Sequence, residues 1–238
     1  MSAFLYGVAL QWKLDLRSKA LLITCYLVPL FFFAIMGGIF TAIDPAAKAT
    51  LIQNMTIQGV TMGALVGLPP TIAEIYAGDI KKSYLVGGVP LGLGLVCVLL
   101  STCLHLLLMS GILFVLAPLL FDAVLPPNLP RYFAILALLI AVSVSVGGVL
   151  GLAVKNGAKL TMVSQLVFLP SILLSGILFP ADLLPAALQF AGRCLPAGWA
   201  VVLLAPGGFS PRNLLPLFVM GAGALVACGL LLHRMRTE

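Results

Sequence analysis

The segment Gly151-Leu152-Ala153-Val154-Lys155-Asn156-Gly157-Ala158-Lys159-Leu160 is the part of the chain closest to a nucleotide-binding loop. Such a loop needs the spacing Gly-x-x-x-x-Gly-Lys-Ser/Thr, because its backbone N–H groups and its lysine surround the phosphates together. Here the spacing differs, and no Lys-Ser/Thr pair follows the last glycine. The sequence also lacks a Gly-x-Ser-x-Gly nucleophile elbow and a His-Glu-x-x-His zinc helix. We therefore predict no catalytic residue, metal ligand or cofactor in this chain.

Single titratable side chains remain as candidates for chemistry. His105 lies inside an apolar stretch, where an ionisable residue indicates a functional site by default. A neutral imidazole that hydrogen-bonds a neighbouring helix explains this position as well, and we favour that interpretation. The five cysteines match no metal or redox spacing, so we interpret them as small buried side chains.

The acidic residues are distributed in a way that bears on the energy source. Every Asp and Glu falls at or beyond the end of an apolar stretch. Carriers driven by protons or ions usually bury carboxylates near the membrane midplane. The pattern argues against a proton-driven carrier and predicts that energy is supplied from outside the membrane.

Milder polar side chains occur inside the apolar stretches. Ser164, Phe168, Ser171 and Ser175 recur at spacings of four, three and four residues, which places them on one helical face. Together with Gln58, Thr61 and Met62 of an earlier stretch, this face could line a path for an amphipathic substrate. Small residues also let helices pack closely, so packing stays open as the alternative. For Gly147, Gly148 and Gly151 we favour packing.

The elements that must position these residues follow from composition. The chain has 238 residues, of which 62% are hydrophobic and 8% are charged, whereas soluble domains carry about 25% charged residues. A bilayer-spanning helix needs about 20 apolar residues. Six charge-free windows predict an all-α membrane protein with six transmembrane helices. The predicted spans are about 20–43, 53–75, 90–118, 132–154, 160–180 and 213–232.

Lysine and arginine residues predict the orientation of these spans. With six spans, nine of the thirteen basic residues lie on the side of the two termini and four on the other side. Because basic residues remain in the cytoplasm, both termini are predicted to be cytoplasmic. The net charge of +6 is then a topology signal and does not indicate nucleic-acid binding.

Three shorter segments have distinct patterns. Residues 1–19 place Trp12 and other apolar residues at helical spacing, which predicts an amphipathic helix in the headgroup plane. Residues 76–88 predict a short charged helix that could dock into a soluble partner, with a plain connecting loop as the open alternative. Residues 181–210 are apolar but interrupted by prolines and glycines, which favours a re-entrant hairpin over a seventh span.

One run of residues resembles a known family. Ser175-Gly176-Ile177-Leu178-Phe179-Pro180, continued by Leu184-Pro185 and Leu195-Pro196, resembles the Ser-Gly-x-x-Phe-Pro…Leu-Pro…Leu-Pro run of type-2 ABC transporter permeases. In that family the run ends the fifth span and forms the outer re-entrant hairpin. The stretch Trp12-Lys13…Asp15…Arg17 is similar to the family's interface helix. The segment Glu74…Gly78…Leu85…Pro90 is similar to its coupling element, although Gly78-Asp79-Ile80-Lys81 stands where the family often has Gly-Thr-Leu-Glu.

The resemblance implies a function and a set of partners. It implies a single transmembrane domain over residues 1–238 in the inner (cytoplasmic) membrane, which exports a drug, peptide or lipid. It also implies a second permease copy, identical or related, and two separate ATP-binding subunits that carry ATP and Mg. The residues implied for ATPase coupling are Glu74, Gly78, Asp79, Lys81, Lys82 and Leu85. Those implied for the re-entrant hairpin are Phe179, Pro180, Pro185 and Pro196.

Two alternatives of other classes remain at this stage. One is an ion-gradient-driven secondary carrier, which would act alone. The other is a membrane assembly factor or cofactor exporter. The sequence leaves open the identity of the substrate, the choice between homodimer and heterodimer, and the direction of transport.

Overall fold

The computed structural model describes residues 3–205 and 207–237, and this part of the chain is mostly helical, without strands. Its helices are α1 Ala3–Arg17, α2 Lys19–Ile43, α3 Leu51–Ala77, α4 Asp79–Val86, α5 Leu91–Phe121, α6 Leu129–Ala153, α7 Gly157–Leu173, α8 Ala186–Arg193, α9 Pro196–Leu204 and α10 Pro211–Thr237. The prediction of an all-α membrane protein is confirmed.

Length and composition separate the helices that can cross a bilayer from the others. Among the described residues, five helices (α2, α3, α5, α6 and α10) are apolar and at least 25 residues long. At about 1.5 Å per residue each exceeds about 30 Å, the thickness of the hydrocarbon core. Helices α8 and α9 form one further apolar pair that bends by 94°, as a broken span or a re-entrant loop would.

The helix at the fifth predicted span, about 160–180, begins a few residues earlier than predicted and also ends earlier. Helix α7 has 17 residues and ends at Leu173. The chain then turns, and Gly176 adopts a φ of 90°, a backbone conformation that side-chain-bearing residues rarely adopt. Residues 174–180 connect α7 to the hairpin, with Ser175 and Ile177 still buried, and the number of membrane crossings stays a prediction.

Both of the first two long helices contain a π-helical turn. The turns are Ile23–Leu27 in α2 and Gly63–Gly67 in α3, and Pro29 and Pro69 follow them closely. A proline has no N–H and clashes with the carbonyl four residues earlier. The wider turn accommodates that carbonyl, so each helix continues past its proline instead of ending there.

The centre of the bundle is the contact between α3 and α6. A Cβ atom on Gly147 would overlap the carbonyl oxygen of Ala64, and one on Gly151 would lie 2.7 Å from the Cβ of Ile72. Only glycine allows the two backbones to approach this closely. The packing interpretation of Gly147 and Gly151 is confirmed.

The loops at one end of the bundle, called here the hairpin end, are residues 44–50, 122–128 and 174–210. The Val124 N–H donates to the Lys48 carbonyl at 2.9 Å, and the Lys48 ammonium lies 3.5 Å from the Asp122 carboxylate. The Asn54 side-chain amide donates to the Ile177 carbonyl at 3.4 Å. The first two contacts join the loops 44–50 and 122–128 to each other. The third contact joins the segment after α7 to α3.

Candidate functional site

A cavity of about 190 Å³ lies between α2, α3 and α7. Its lining residues are Val28, Phe32, Gln58, Met62, Phe168, Leu169, Ile172, Leu173 and Leu178. The wall is apolar except for Gln58. Three of the seven residues predicted for a substrate path, Gln58, Met62 and Phe168, thus lie together in this wall.

Gln58 is unusual because its buried amide is poorly satisfied. Its Nε2 lies 3.9 Å from the sulfur of Met62, a weak contact. Its Oε1 is buried and accepts no hydrogen bond from the described residues. A buried carbonyl-type oxygen without a donor is costly, so this group favours a ligand that supplies an O–H or N–H.

The other four predicted path residues lie elsewhere. Thr61 donates to the Ile57 carbonyl at 2.7 Å, Ser171 to Val167 at 2.7 Å and Ser175 to Ile172 at 3.0 Å. Hydroxyls bonded back into their own chain are typical of packed helix faces. Ser164 is also buried, and its Oγ has no hydrogen-bond partner among the described residues. These contacts favour packing for Thr61, Ser171 and Ser175.

Helix α4 follows α3 after Gly78, whose extended backbone separates the two helices. The Tyr76 hydroxyl donates to the Leu91 carbonyl at 2.6 Å, which links the end of α3 to the start of α5. The segment that contains α4 therefore begins and ends at the same place. On α4, Lys82 lies 2.8 Å from Asp79, and both side chains are exposed. The ends of α3 and α7 border a cleft of about 540 Å³ that is lined in part by Glu74.

The two faces of α4 differ in exposure. Tyr84 packs against Gly94 at the start of α5, and its burial, with a smaller effect of the neighbouring Cys97, raises the pKa of this phenol above its usual value. Val86 is 91% exposed. Lys81 is half-buried, and the side chain of Leu85 lies outside the described residues. The predicted coupling residues therefore lie together at the end of α3 and on α4, and the charged face of α4 is exposed.

The predicted hairpin residues mark helix starts. Pro180 precedes a short 3-10 turn, Pro185 precedes α8, and Pro196 is the buried first residue of α9. Proline suits these positions because a helix start needs no N–H donor. Phe179 is exposed at the beginning of the segment.

Arg131 fixes the end of the hairpin, a role that the sequence analysis missed. From the first turn of α6, its guanidinium donates to the Leu203 carbonyl and, at 3.2 Å, to the Ala205 carbonyl. It also lies 4.9 Å from the centre of the Phe209 ring. A cation at a helix C-terminus satisfies the last carbonyls and the helix dipole. No local pattern in the sequence pairs Arg131 with residues more than seventy positions later.

The sequence analysis also missed a second polar group, the buried carboxylate of Asp15. Asp15 is only 3% exposed, because α1 packs along α5 and turns this carboxylate toward Ser101 and His105. The acidic residues are therefore not all peripheral, although Asp15 lies outside the apolar stretches. Phe4 and Leu16 of α1 are exposed and can contact lipid, as an interface helix requires, and the place of α1 in the headgroup plane stays a prediction. The expected hydrogen bond from His105 to a neighbouring helix is present, with Tyr26.

Comparison with family models gives one match, to the ABC-2 type transporter family, over residues 3–207. Comparisons with curated proteins and with solved structures gave no match. The match covers α1 to α9 and ends before α10. The chain therefore belongs to the ABC-2 type transporter family and is a multi-pass membrane permease.

Proposed function

We propose that this chain is the permease subunit of an ATP-driven exporter for an amphipathic or hydrophobic substrate. The observation that carries the proposal is α4, a short exposed helix held between two well-packed long helices. Family members work with ATP-binding subunits, and this sequence has no phosphate-binding loop of its own. ATP and Mg would thus bind to a separate subunit, present in two copies.

The coupling segment is proposed to be Glu74–Leu85 together with α1. When ATP closes the partner dimer, the exposed face of α4 moves, and its Gly78 joint transmits that motion to α3. The Tyr76–Leu91 hydrogen bond supports this route, because it links the end of α3, next to α4, to the start of α5. The charged groups that would contact the ATP-binding partner are Asp79, Lys81 and Lys82.

The substrate path is proposed to pass along α3 and α7. Gln58, Met62 and Phe168 would contact the substrate directly, while Thr61, Ser164, Ser171 and Ser175 would shape the same helices from behind. Apolar walls with one unsatisfied amide suit a mostly apolar molecule that carries a hydrogen-bond donor. The hairpin of residues 181–210, with Phe179, Pro180, Pro185 and Pro196, would shape the exit.

The proposed assembly contains a second permease copy, identical or related, in the cytoplasmic membrane with both termini in the cytoplasm. A tagged chain purified in mild detergent should bring down a stoichiometric ATP-binding protein, identified by mass spectrometry. A chain that purifies alone and transports in response to a pH or sodium gradient in liposomes would instead be a secondary carrier.

Charge reversal tests the coupling segment. In liposomes that contain the whole complex, Lys81→Glu with Lys82→Glu should keep ATPase activity but reduce export about tenfold or more, because the docking charges are inverted. Arg193→Glu with Arg212→Glu, an equal double reversal at the hairpin end, is the matched control. Equal coupling in both variants would remove α4 from the mechanism.

A further inference from the structure

The carboxylate of Asp15 is enclosed between α1 and α5. Its Oδ1 accepts from the Gln11 amide at 2.8 Å, and its Oδ2 accepts from the Ser101 hydroxyl at 2.5 Å. Both donors are neutral. No lysine or arginine of the described residues forms an ion pair with it at 4.0 Å or less, so the charge of an ionised Asp15 is not balanced by a permanent cation.

The only basic side chain within 4.0 Å of this carboxylate among the described residues is His105, which is fully buried. Its Nε2 lies 3.9 Å from the Oδ2 of Asp15 and has no hydrogen-bond partner in the described part of the chain. Its Nδ1 lies 2.7 Å from the Tyr26 hydroxyl. Its ring stacks on Trp12 of α1 with centroids 3.9 Å apart and planes 12° apart.

This geometry can accommodate a positive imidazole, because each ring nitrogen faces an oxygen that can accept a hydrogen bond. In the neutral ring the Tyr26 hydroxyl donates to Nδ1, which leaves the proton on Nε2 facing Asp15. A second proton would make Nδ1 a donor, and a hydroxyl accepts as readily as it donates. The charged ring would then pair with the Asp15 carboxylate and lie against the electron-rich face of Trp12.

The surrounding titratable groups add no competing charge. From α2, Tyr26 and Cys25 are near Asp15, and both side-chain types are neutral in the ordinary pH range. From α1, Lys13 and Arg17 are exposed. A buried carboxylate without a counter-charge is costly, whereas a buried, hydrogen-bonded pair is tolerated.

We propose that Asp15 and His105 form a proton-binding site, and that the bound proton holds α1 against α5. Loss of the proton leaves a buried, unbalanced carboxylate and loosens α1. The site couples pH to the position of the helix that leads into the first long helix. This inference does not depend on the proposed transport function, because it concerns the chain alone.

The first test is the fluorescence of Trp12. The chain has two tryptophans, so Trp199→Phe leaves Trp12 as the only one. In nanodiscs titrated from about pH 9 to about pH 5, its emission should fall in one transition, because a stacked imidazolium quenches an indole. His105→Gln should abolish the transition, and Asp15→Asn should move it to a pH lower by about one unit or more. A flat titration of the Trp199→Phe protein overturns the proton site.

The second test asks whether the proton controls docking. Gly7 of α1 covers Cys97, since a Cβ on Gly7 would lie 3.0 Å from the Cys97 sulfur. A chain with Cys97 as its only cysteine should react with maleimide about tenfold faster when it also carries His105→Gln, at one fixed pH below the Trp12 transition, where His105 holds the proton. A Trp12 transition with unchanged Cys97 labelling would overturn the docking role and leave only the proton site.

Discussion

At the scale of single residues, the buried and half-buried polar groups of this protein have distinct roles. Arg131 and Gln58 are the clearest examples, and they act in opposite ways. Arg131 finds carbonyl partners and an aromatic ring at the end of α9. The Oε1 of Gln58 finds no partner among the described residues. The first group therefore stabilises the fold, and the second is available to a ligand.

Replacing Arg131 tests the stabilising role. Arg131→Gln should lower the unfolding free energy by about 1.5–3 kcal/mol, because the carbonyls of Leu203 and Ala205 lose a charged donor. Thermal unfolding in detergent measures the change. Arg212→Gln, which removes an exposed arginine of the same end, should have little effect. Similar losses in both variants would contradict the role of Arg131 at the hairpin.

Replacing Gln58 separates stability from transport. Gln58→Leu should raise the thermal stability slightly, because it removes an unsatisfied buried oxygen, and should weaken export of substrates with a hydrogen-bond donor about tenfold. Gln53→Leu on the same helix is the matched control. When its amide is oriented for hydrogen bonding, Gln53 donates to the carbonyls of Ala49 and Thr50, so its loss should destabilise. Unchanged export by Gln58→Leu would leave the cavity without a role in the path.

At the scale of elements, the contact between α3 and α6 determines how the bundle closes. Glycines on α6 bring its backbone against α3, and the π-helical turn Gly63–Gly67 forms part of the contact surface. α3 carries both the cavity residues and the joint to α4. Its position against α6 therefore affects the proposed path and the proposed coupling segment together.

A single methyl group tests that contact. Gly147→Ala should destabilise the protein by about 1–3 kcal/mol, since the new Cβ overlaps the carbonyl oxygen of Ala64. Gly223→Ala on α10 is the control, because a Cβ there has no atom within 4 Å and alanine favours helix. The thermal unfolding midpoints of the two variants measure the difference in stability. Equal midpoints would mean that α3 and α6 are separated in the native state.

At the scale of the whole molecule, the two ends of the bundle differ in construction. One end carries α4 and exposed basic residues, and the other carries the broken pair α8 and α9 between irregular loops. An exporter needs such a difference, because one end receives energy and the other releases substrate. The proposed orientation assigns the first end to the cytoplasm.

Cysteine labelling in intact cells tests this orientation. Cys194 is exposed on the hairpin, and a chain that keeps it as the only cysteine should react with a membrane-impermeant maleimide added outside. A chain whose only cysteine is Ser83→Cys, on α4, should react only after the cells are permeabilised. The reverse pattern would invert the topology and move α4 away from a cytoplasmic partner.

The sequence by itself determined the fold class and the family. Long uncharged windows have only one stable form in lipid, the helix, because every backbone polar group must be satisfied within the segment. The run from Ser175 to Pro196 carried the family resemblance for a similar reason, since prolines at helix starts leave a pattern that does not depend on distant contacts.

Only the tertiary structure decided which polar groups meet. Asp15, Tyr26 and His105 belong to three different helices, α1, α2 and α5. Arg131 of α6 hydrogen-bonds a carbonyl at the end of α9. No periodicity within one segment shows these pairs. The face shared by Ser164, Phe168 and Ser171 was visible in the sequence, but its partners were not. Helical spacing fixes the direction of a side chain relative to its own axis, whereas its surroundings depend on how the helices cross.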